Sequence, residues 1–277
     1  MKHKIVADSS ANLLELEGME FSSVALTIRT DEQEFVDDKN LDTTRMLAHL
    51  AAYKGRSGTA CPNVGDWVEA FGGAEEVFAI AITSNLSGSY NALVQAKQVY
   101  EEENPGKRVC TLDSLSAGPE LALVAEKLRE LLLAGKTFEE AESAIRAYMT
   151  KTRLVFSLES LNNLARNGRV SSVVAKAAGI LGIRIVGKAS DEGTLQQLHK
   201  CRGEKKALEV MTREMKELGY RGGKVRISHC FNPVAAETLT LLLRRDFPHA
   251  DITTDICGGL CSFYAEKGGM LVGFETE

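Results

Sequence analysis

Four short loops in the first half of the sequence combine hydroxyl side chains with glycine or aspartate. Residues 8–10 (DSS), 83–89 (TSNLSGS) and 113–118 (DSLSAG) each follow an apolar run, and residues 57–62 (SGTACP) join two predicted helices. Hydroxyls are short neutral donors, and a neighbouring glycine lets a ligand approach the backbone closely. The loops therefore predict a site for a carboxylate or phosphate that needs no lysine or arginine.

Thr59 and Ser87 are the strongest candidates for ligand contact, because each hydroxyl has a glycine beside it. Such residues also commonly serve as helix N-caps, and for any single loop this alternative role remains open. The loops lack the lysine of a GxxxxGK[ST] phosphate loop, and Ser84 and Ser87 do not form a GxSxG nucleophile elbow. The residues expected to support the two contacts are Ser9, Ser57, Gly58, Gly88, Ser89 and Ser114.

A further unusual segment, residues 157–170, ends in RNGRV. The Asn167-Gly168 pair predicts a helix that ends in a left-handed cap, which holds Arg169 on a tight turn. Arg169 is then either a solvated side chain or one displayed to a partner or a phosphate.

We predict no metal site. Asp8 and Asp113 end predicted strands, where a turn or capping role competes with metal binding. Among the six cysteines no CxxC occurs, and Cys257 and Cys261 have no histidine close by in the sequence. The cysteines are typical of buried free thiols in a reducing compartment.

Apolar runs alternate with helical patterns in the first half, which predicts an α/β fold with a mostly parallel sheet and flanking helices. The predicted strands are residues 4–7, 77–82 and 108–112. The predicted helices are residues 41–53, 63–71, 87–103, 121–133 and 138–149.

The second half predicts an α/β unit with a mixed sheet, because a hairpin is centred on Asp191-Glu192-Gly193. We place the domain boundary near Lys151, giving domains 1–151 and 152–277. The predicted strands are residues 153–158, 183–187, 194–198, 223–230 and 251–256. The predicted helices are residues 159–166, 172–181, 203–218 and 233–245.

Composition excludes several classes of protein. With 277 residues, 44% hydrophobic residues, a net charge of −5 and one tryptophan, the chain does not suit a broad nucleic-acid surface. Its N-terminus lacks the ~7–15-residue apolar core of a signal peptide. No run approaches the ~18 apolar residues of a membrane-spanning helix. We therefore expect a cytoplasmic protein with no integral membrane segment and no nucleic-acid partner.

In combination, these motifs resemble the DegV family of bacterial fatty-acid-binding proteins, which includes the binding subunits of fatty acid kinase systems. The resemblance runs in family order over essentially the whole chain. The matching segments are residues 8–10, 57–59 with Pro62, 86–90, 113–114, 161–169, 200–203 with 205–206, and 228–229 with Asn232.

The resemblance implies two α/β domains and a long-chain fatty acid bound in a tunnel that residues 152–277 complete. It implies that Thr59 and Ser87 hold the carboxylate. It also implies a separate ATP-dependent kinase subunit that phosphorylates the bound fatty acid, with Arg169 engaging that subunit. The apolar residues of segment 173–181 are candidates for the tunnel wall.

One segment departs from the family pattern. Where the family has a His-Thr-Gly-Pro-Gly segment near the carboxylate, the alignment puts Tyr264 at the histidine position, followed by AEKG. A phenol can still donate a hydrogen bond, so we expect Tyr264 to contact the carboxylate directly or through Thr59. The second serine of the family's SGTSxPS loop is also absent.

Two other functions stay open. One is an enzyme that acts on a small acyl or phosphorylated substrate with Thr59 or Ser87; against it, only His229 is predicted at a strand end. The other is a structural partner protein whose lipid is a folding ligand. The favoured expectation is a carrier rather than an enzyme, with a fatty acid as its ligand and no other cofactor.

Overall fold

The chain forms three β-sheets. The computed structural model describes residues 2–171 and 182–277. The strands are β1 His3–Asp8, β2 Phe21–Val24, β3 Thr27–Arg29, β4 Glu34–Val36, β5 Gly58–Ala60, β6 Glu76–Ala81, β7 Arg108–Asp113, β8 Thr152–Leu158, β9 Ile183–Ala189, β10 Leu195–Arg202, β11 Val225–His229, β12 Ile252–Ile256 and β13 Met270–Glu275.

The first sheet is parallel throughout, in the order β2-β1-β6-β7. The second sheet has six strands in the order β10-β9-β8-β13-β11-β12, and only its β11–β12 pair is parallel. The predicted α/β class with a parallel sheet and a mixed sheet is confirmed. The hairpin is confirmed as the antiparallel β9–β10 pair.

Helices pack against the four-stranded and the six-stranded sheet. They are α1 Thr43–Ala52, α2 Val64–Phe71, α3 Ser89–Glu103, α4 Pro119–Leu133, α5 Phe138–Met149, α6 Asn162–Arg166, α7 Glu204–Glu217, α8 Pro233–Asp246 and α9 Gly259–Ala265. Capping follows the local sequence: the Asp42 carboxylate accepts the Arg45 N–H at 2.9 Å at the start of α1. Asn63 and Asp66 form a capping box at the start of α2.

Helix α4 lies between the two large sheets. Its apolar residues share a core with β1 and β6 of the parallel sheet, and the helix also contacts β8, β11 and β13. Gly273 allows β13 to pack closely against the start of α4, because a Cβ on residue 273 would lie only 2.6 Å from the Glu120 backbone nitrogen. The first residues of α4, 119–125, are buried all round the helix, which explains their nearly continuous apolar sequence.

A third sheet, β4-β3-β5, was not predicted. Residues 57–62 were expected to form a loop between helices, but residues Gly58–Ala60 form an edge strand that pairs with β3, with Thr59 opposite Ile28. Three-residue strands carry too little alternation to be recognised in a sequence. The pairing fixes the backbone on which the Thr59 side chain stands.

Other differences are local. The helix predicted over 159–166 begins only at Asn162, and α9 and β13 were not predicted. The helix predicted over 172–181, with its proposed tunnel-lining residues, lies outside the described residues. The division at residue 151 stays a prediction, since α4 contacts both large sheets and α9 packs on α1 and β3.

Candidate functional site

A narrow cavity of about 80 Å³ is lined by residues from both halves of the chain. Among the residues that the structure describes, its wall is apolar except at four. The apolar lining is Leu26, Ile82, Leu86, Ala117, Leu154, Phe156, Leu158, Leu164, Leu195, Leu260, Cys261, Ala265 and Leu271. The polar lining is Thr59, Ser87, Arg169 and Tyr264. Thus the structure brings together at one cavity four side chains that lie up to 205 positions apart in the sequence.

Thr59 and Tyr264 are in direct contact. The Thr59 Oγ1 and the Tyr264 hydroxyl oxygen lie 2.8 Å apart, and either can donate the shared hydrogen. The Tyr264 ring is fixed edge-on by Phe263, with ring centroids 4.9 Å apart. Thr59 and the phenol therefore form a connected pair of hydroxyls at the cavity wall.

Ser87 is positioned by a chain of hydrogen bonds that starts at a buried carboxylate. The Asp8 Oδ2 accepts from the Ser89 hydroxyl at 2.7 Å and from the Ile82 N–H at 2.9 Å. The Ser89 N–H donates in turn to the Ser87 Oγ at 3.2 Å. Because the Ser87 oxygen accepts that bond, its own hydrogen can donate toward the cavity. Burial raises the pKa of Asp8.

Arg169 points along the cavity wall. The predicted left-handed cap is present, since Gly168 has φ +74° and the Arg169 N–H donates to the Leu164 carbonyl at 2.8 Å. The Arg169 Nε donates to the Leu86 carbonyl at 3.1 Å, and a terminal nitrogen donates to the Asn167 carbonyl. Its guanidinium carbon lies 5.9 Å from the centre of the Tyr264 ring. Arg169 therefore lies at the cavity, while the site that needs no lysine or arginine and the docking of Arg169 to a partner both remain predictions.

Helix α9, which carries Tyr264, begins against a carboxylate from a distant segment. Asp37 is buried and accepts the N–H groups of Gly259 at 2.6 Å and Leu260 at 2.9 Å. A Cβ on residue 259 would lie 2.7 Å from the Asp37 Oδ1, so glycine makes room for the carboxylate. Burial raises the pKa of Asp37. Asp37 therefore fixes the start of the helix that presents Tyr264.

The predicted supporting residues fall into two groups. Ser57, Gly58, Gly88 and Ser89 are sequence neighbours of Thr59 or Ser87 in the two hydroxyl loops. Ser9 accepts the Leu26 N–H at 3.0 Å, behind the cavity wall. Ser114 lies elsewhere: its hydroxyl donates to the Ser116 carbonyl at 3.0 Å, and it lines a different cavity with Glu120.

The candidates for other chemistry do not converge on this cavity. Asp8 and Asp113 accept hydrogen bonds from loop donors, and within the described ranges no cluster of three or more potential ligands could hold a metal. His229 does not line the cavity; its Nδ1 accepts the Asn232 N–H at 3.2 Å, and burial lowers its pKa. Cys261 does line it, but burial raises the pKa of that thiol far above the neutral range.

The arrangement suits an amphiphilic anion. Aliphatic walls favour a hydrocarbon chain, while two hydroxyl loops, a phenol and a guanidinium are donors to an acid group. Sequence reasoning missed the inward orientation of Arg169 and the roles of Asp8 and Asp37. Their contacts span 74 to 223 positions, and no local pattern records them.

The fold and the cavity define an α/β binding protein with an amphiphilic pocket between its sheets. This chain belongs to the DegV family: the family model described as "Uncharacterised protein, DegV family" matches residues 2–277. No helix in ranges 2–171 and 182–277 is long and apolar enough to cross a membrane.

Relatives match along their whole length. A DegV domain-containing protein of Streptococcus pneumoniae is 42% identical over 281 residues, which cover 100% of both chains. A DegV family protein of Eubacterium eligens, solved with heptadecanoic acid, is 47% identical with a TM-score of 0.98, covering 99% of this chain and 100% of that one. The Fatty Acid Kinase B3 protein of Streptococcus pneumoniae, solved with linoleic acid, is 42% identical with a TM-score of 0.98, covering 100% of both chains.

Proposed function

We propose that this protein binds one long-chain fatty acid, with the acyl chain in the apolar cavity and the carboxylate at Thr59, Ser87 and Tyr264. The observation that carries the proposal is the 2.8 Å contact between Thr59 and Tyr264 beside Ser87 and Arg169 on an otherwise apolar wall. The fatty acids bound to the two similar proteins support the same ligand class.

The energetics assign different roles to the two parts of the ligand. About 14 methylenes at ~0.8 kcal/mol each would contribute roughly 11 kcal/mol on burial. Association and ordering remove much of this gain. Each neutral hydrogen bond to the carboxylate adds only about 1 kcal/mol. The acyl chain therefore supplies most of the affinity, and the hydroxyl loops orient the acid group.

We further propose that the protein presents the carboxylate to a separate ATP-dependent kinase and acts in the cytoplasm as a carrier. The 42% identity to a fatty acid kinase B3 protein supports this role. In the carrier, Arg169 would join the carboxylate site to the surface that the kinase engages. An enzyme acting through Thr59 or Ser87 is less well supported, because His229 lies outside the cavity lining.

The test has two parts. Native mass spectrometry of freshly purified protein is expected to show the mass of a single fatty acid. The double variant Thr59→Val, Ser87→Ala is expected to weaken fatty-acid binding by roughly 1–3 kcal/mol, because two hydrogen bonds are lost. The matched control is Ser190→Ala, Thr194→Val, whose hydroxyls pair at 2.9 Å outside the cavity. Equal affinities of the double variant and the wild type in a fluorescent fatty-acid titration would exclude the carboxylate site.

A further inference from the structure

Another cavity, of about 570 Å³, is lined in part by Ser57, two residues before Thr59. Its cationic lining is Lys54, Arg56 and Arg166, which are all exposed. The rest of its lining in ranges 2–171 and 182–277 is Gly55, Ser57 and Asn167, so no acidic side chain from these ranges contributes to this wall. We name this feature the cationic pocket.

The three cations have no counter-ion among the described residues. In the part of the chain that the structure describes, none of them takes part in an ion pair or a side-chain hydrogen bond, although most other arginines do. The chain as a whole carries a net charge of −5. Three uncompensated positive charges around one cavity of an acidic protein create a local field that attracts an anion.

The loop that carries Lys54 and Arg56 is held in place. The Tyr53 hydroxyl donates to the Asp31 carboxylate at 2.8 Å, and the ring stacks on His49 with centroids 5.6 Å apart. Gly55 lies directly against the Tyr53 ring, where a side chain would clash. A fixed loop loses little backbone entropy when its charged side chains bind a ligand.

The cationic pocket and the carboxylate site are lined by neighbouring residues of the same two segments, 57–59 and 166–169. Ser57 stands two residues before Thr59, which is about 7 Å along an extended strand. The Asn167 side chain donates to the Ser57 carbonyl at 3.4 Å, joining the two segments. Gly168, with φ +74°, reverses the chain so that Arg166 lines the cationic pocket and Arg169 lines the acyl cavity.

Phosphorylation changes what the acid end of the ligand requires. A carboxylate oxygen forms a bond to the γ-phosphorus of ATP, the bond from that phosphorus to the bridging oxygen breaks, and ADP leaves. The head group then grows by one phosphoryl group, and its charge rises from one to about two negative charges. The hydroxyls at the acid end are neutral and Arg169 supplies only one positive charge there, so further cations are needed to balance a dianion. Guanidinium and ammonium groups form strong hydrogen bonds to phosphate oxygens.

We propose that Lys54, Arg56 and Arg166 form a subsite for the phosphoryl group of the acyl phosphate. This inference rests on the proposed function, since it needs an acyl chain in the cavity and a kinase that supplies the phosphate. The subsite stabilises bound acyl phosphate, the product, more than it stabilises bound fatty acid, the substrate. The carrier then holds acyl phosphate more tightly than it holds fatty acid.

The test uses hexadecanoic acid and its acyl phosphate analogue in which a methylene replaces the bridging oxygen. The variant is Lys54→Gln, Arg56→Gln, Arg166→Gln, which removes the charges and keeps a polar, unbranched side chain at each position. We expect the variant to bind the analogue at least about tenfold more weakly than the wild type does, and to bind hexadecanoic acid equally well. The matched control is Lys200→Gln, Arg202→Gln, Lys205→Gln, three exposed cations outside both cavities, which should keep the wild-type affinity for the analogue.

The outcomes separate the two proposals. Wild-type protein that binds neither ligand would overturn the proposed function, whereas binding of both ligands with equal analogue affinity in wild type and variant would overturn only the subsite. An equal loss in the control variant would also overturn it, because the effect would then come from net charge. Tight, variant-sensitive binding of inorganic phosphate alone would reassign the pocket to free phosphate. Reduced kinase turnover with unchanged analogue affinity would reassign the cations to docking.

Discussion

In the described parts of the chain, the Tyr264 hydroxyl makes the single side-chain hydrogen bond between helix α9 and strand β5. Tyr264→Phe removes that oxygen and keeps the ring, so the packing against Phe263 should survive. We expect fatty-acid affinity to fall by about 1 kcal/mol, because one neutral hydrogen bond is lost and Thr59 is less well oriented. A displacement titration with a fluorescent fatty acid measures the change.

Tyr148→Phe is the matched control, since the Tyr148 hydroxyl donates to Glu275 at 2.8 Å and lies outside the acyl cavity. That variant should keep the wild-type affinity for fatty acid. If Tyr264→Phe also binds with wild-type affinity, the phenol does not belong to the carboxylate site.

At the level of single residues, a glycine beside a hydroxyl residue was the pattern that predicted the cavity residues. Thr59 and Ser87 both lie at the cavity, and the Asn167-Gly168 turn is present. The direction of the Arg169 side chain was not predictable, because it depends on the Leu86 carbonyl, 83 positions away.

Among the elements, α9 depends most on a distant partner. Asp37→Asn removes the charge and one of the two acceptors for the first N–H groups of α9. We expect the free energy of unfolding to fall by about 1–2 kcal/mol, as for the loss of a helix cap. Fatty-acid affinity should fall as well, since α9 carries Tyr264. Urea unfolding and lipid titration measure the two effects.

The control Asn63→Ala removes the cap of α2 instead, at a helix that does not contribute to the cavity lining. It should reduce stability by a similar amount and leave lipid affinity unchanged. Equal lipid affinities for wild type and Asp37→Asn would show that the start of α9 does not position Tyr264.

The same contrast explains which elements the sequence could predict. Helices α1, α2 and α5 have their caps within three residues, so their beginnings were predicted to within two residues. Helix α9 begins at Gly259, directly after Gly258, and the carboxylate that caps it is 222 residues away. Strand β13 lies between β8 and β11, and nothing local in residues 270–275 specifies that central place.

For the whole molecule, the decisive element is α4, which lies between the two large sheets and carries a buried acid. Glu120 accepts from the Ser116 hydroxyl at 2.5 Å and from the Thr152 hydroxyl at 2.7 Å. Burial raises the pKa of Glu120, and the hydrogen bonds from Ser116 and Thr152, together with the nearby Arg153, oppose that shift. The sequence predicted α4 as a helix, but its burial on both sides follows from the strand order of the sheets.

Because its folded-state pKa is raised, Glu120 contributes most to stability below its unfolded pKa of about 4.3, and the contribution is lost as pH rises through the folded pKa. Glu120→Gln cannot ionise, and its amide fits if Thr152 turns its hydrogen to the Met149 carbonyl, which lies 3.3 Å away. The wild type should therefore lose stability as pH rises, whereas the variant should not. We expect the difference in unfolding free energy, variant minus wild type, to increase from pH 4 to pH 8 in urea titrations. The exposed Glu103→Gln should show no such trend. A constant difference for Glu120→Gln across this range would mean that Glu120 has the same pKa in the folded and unfolded protein.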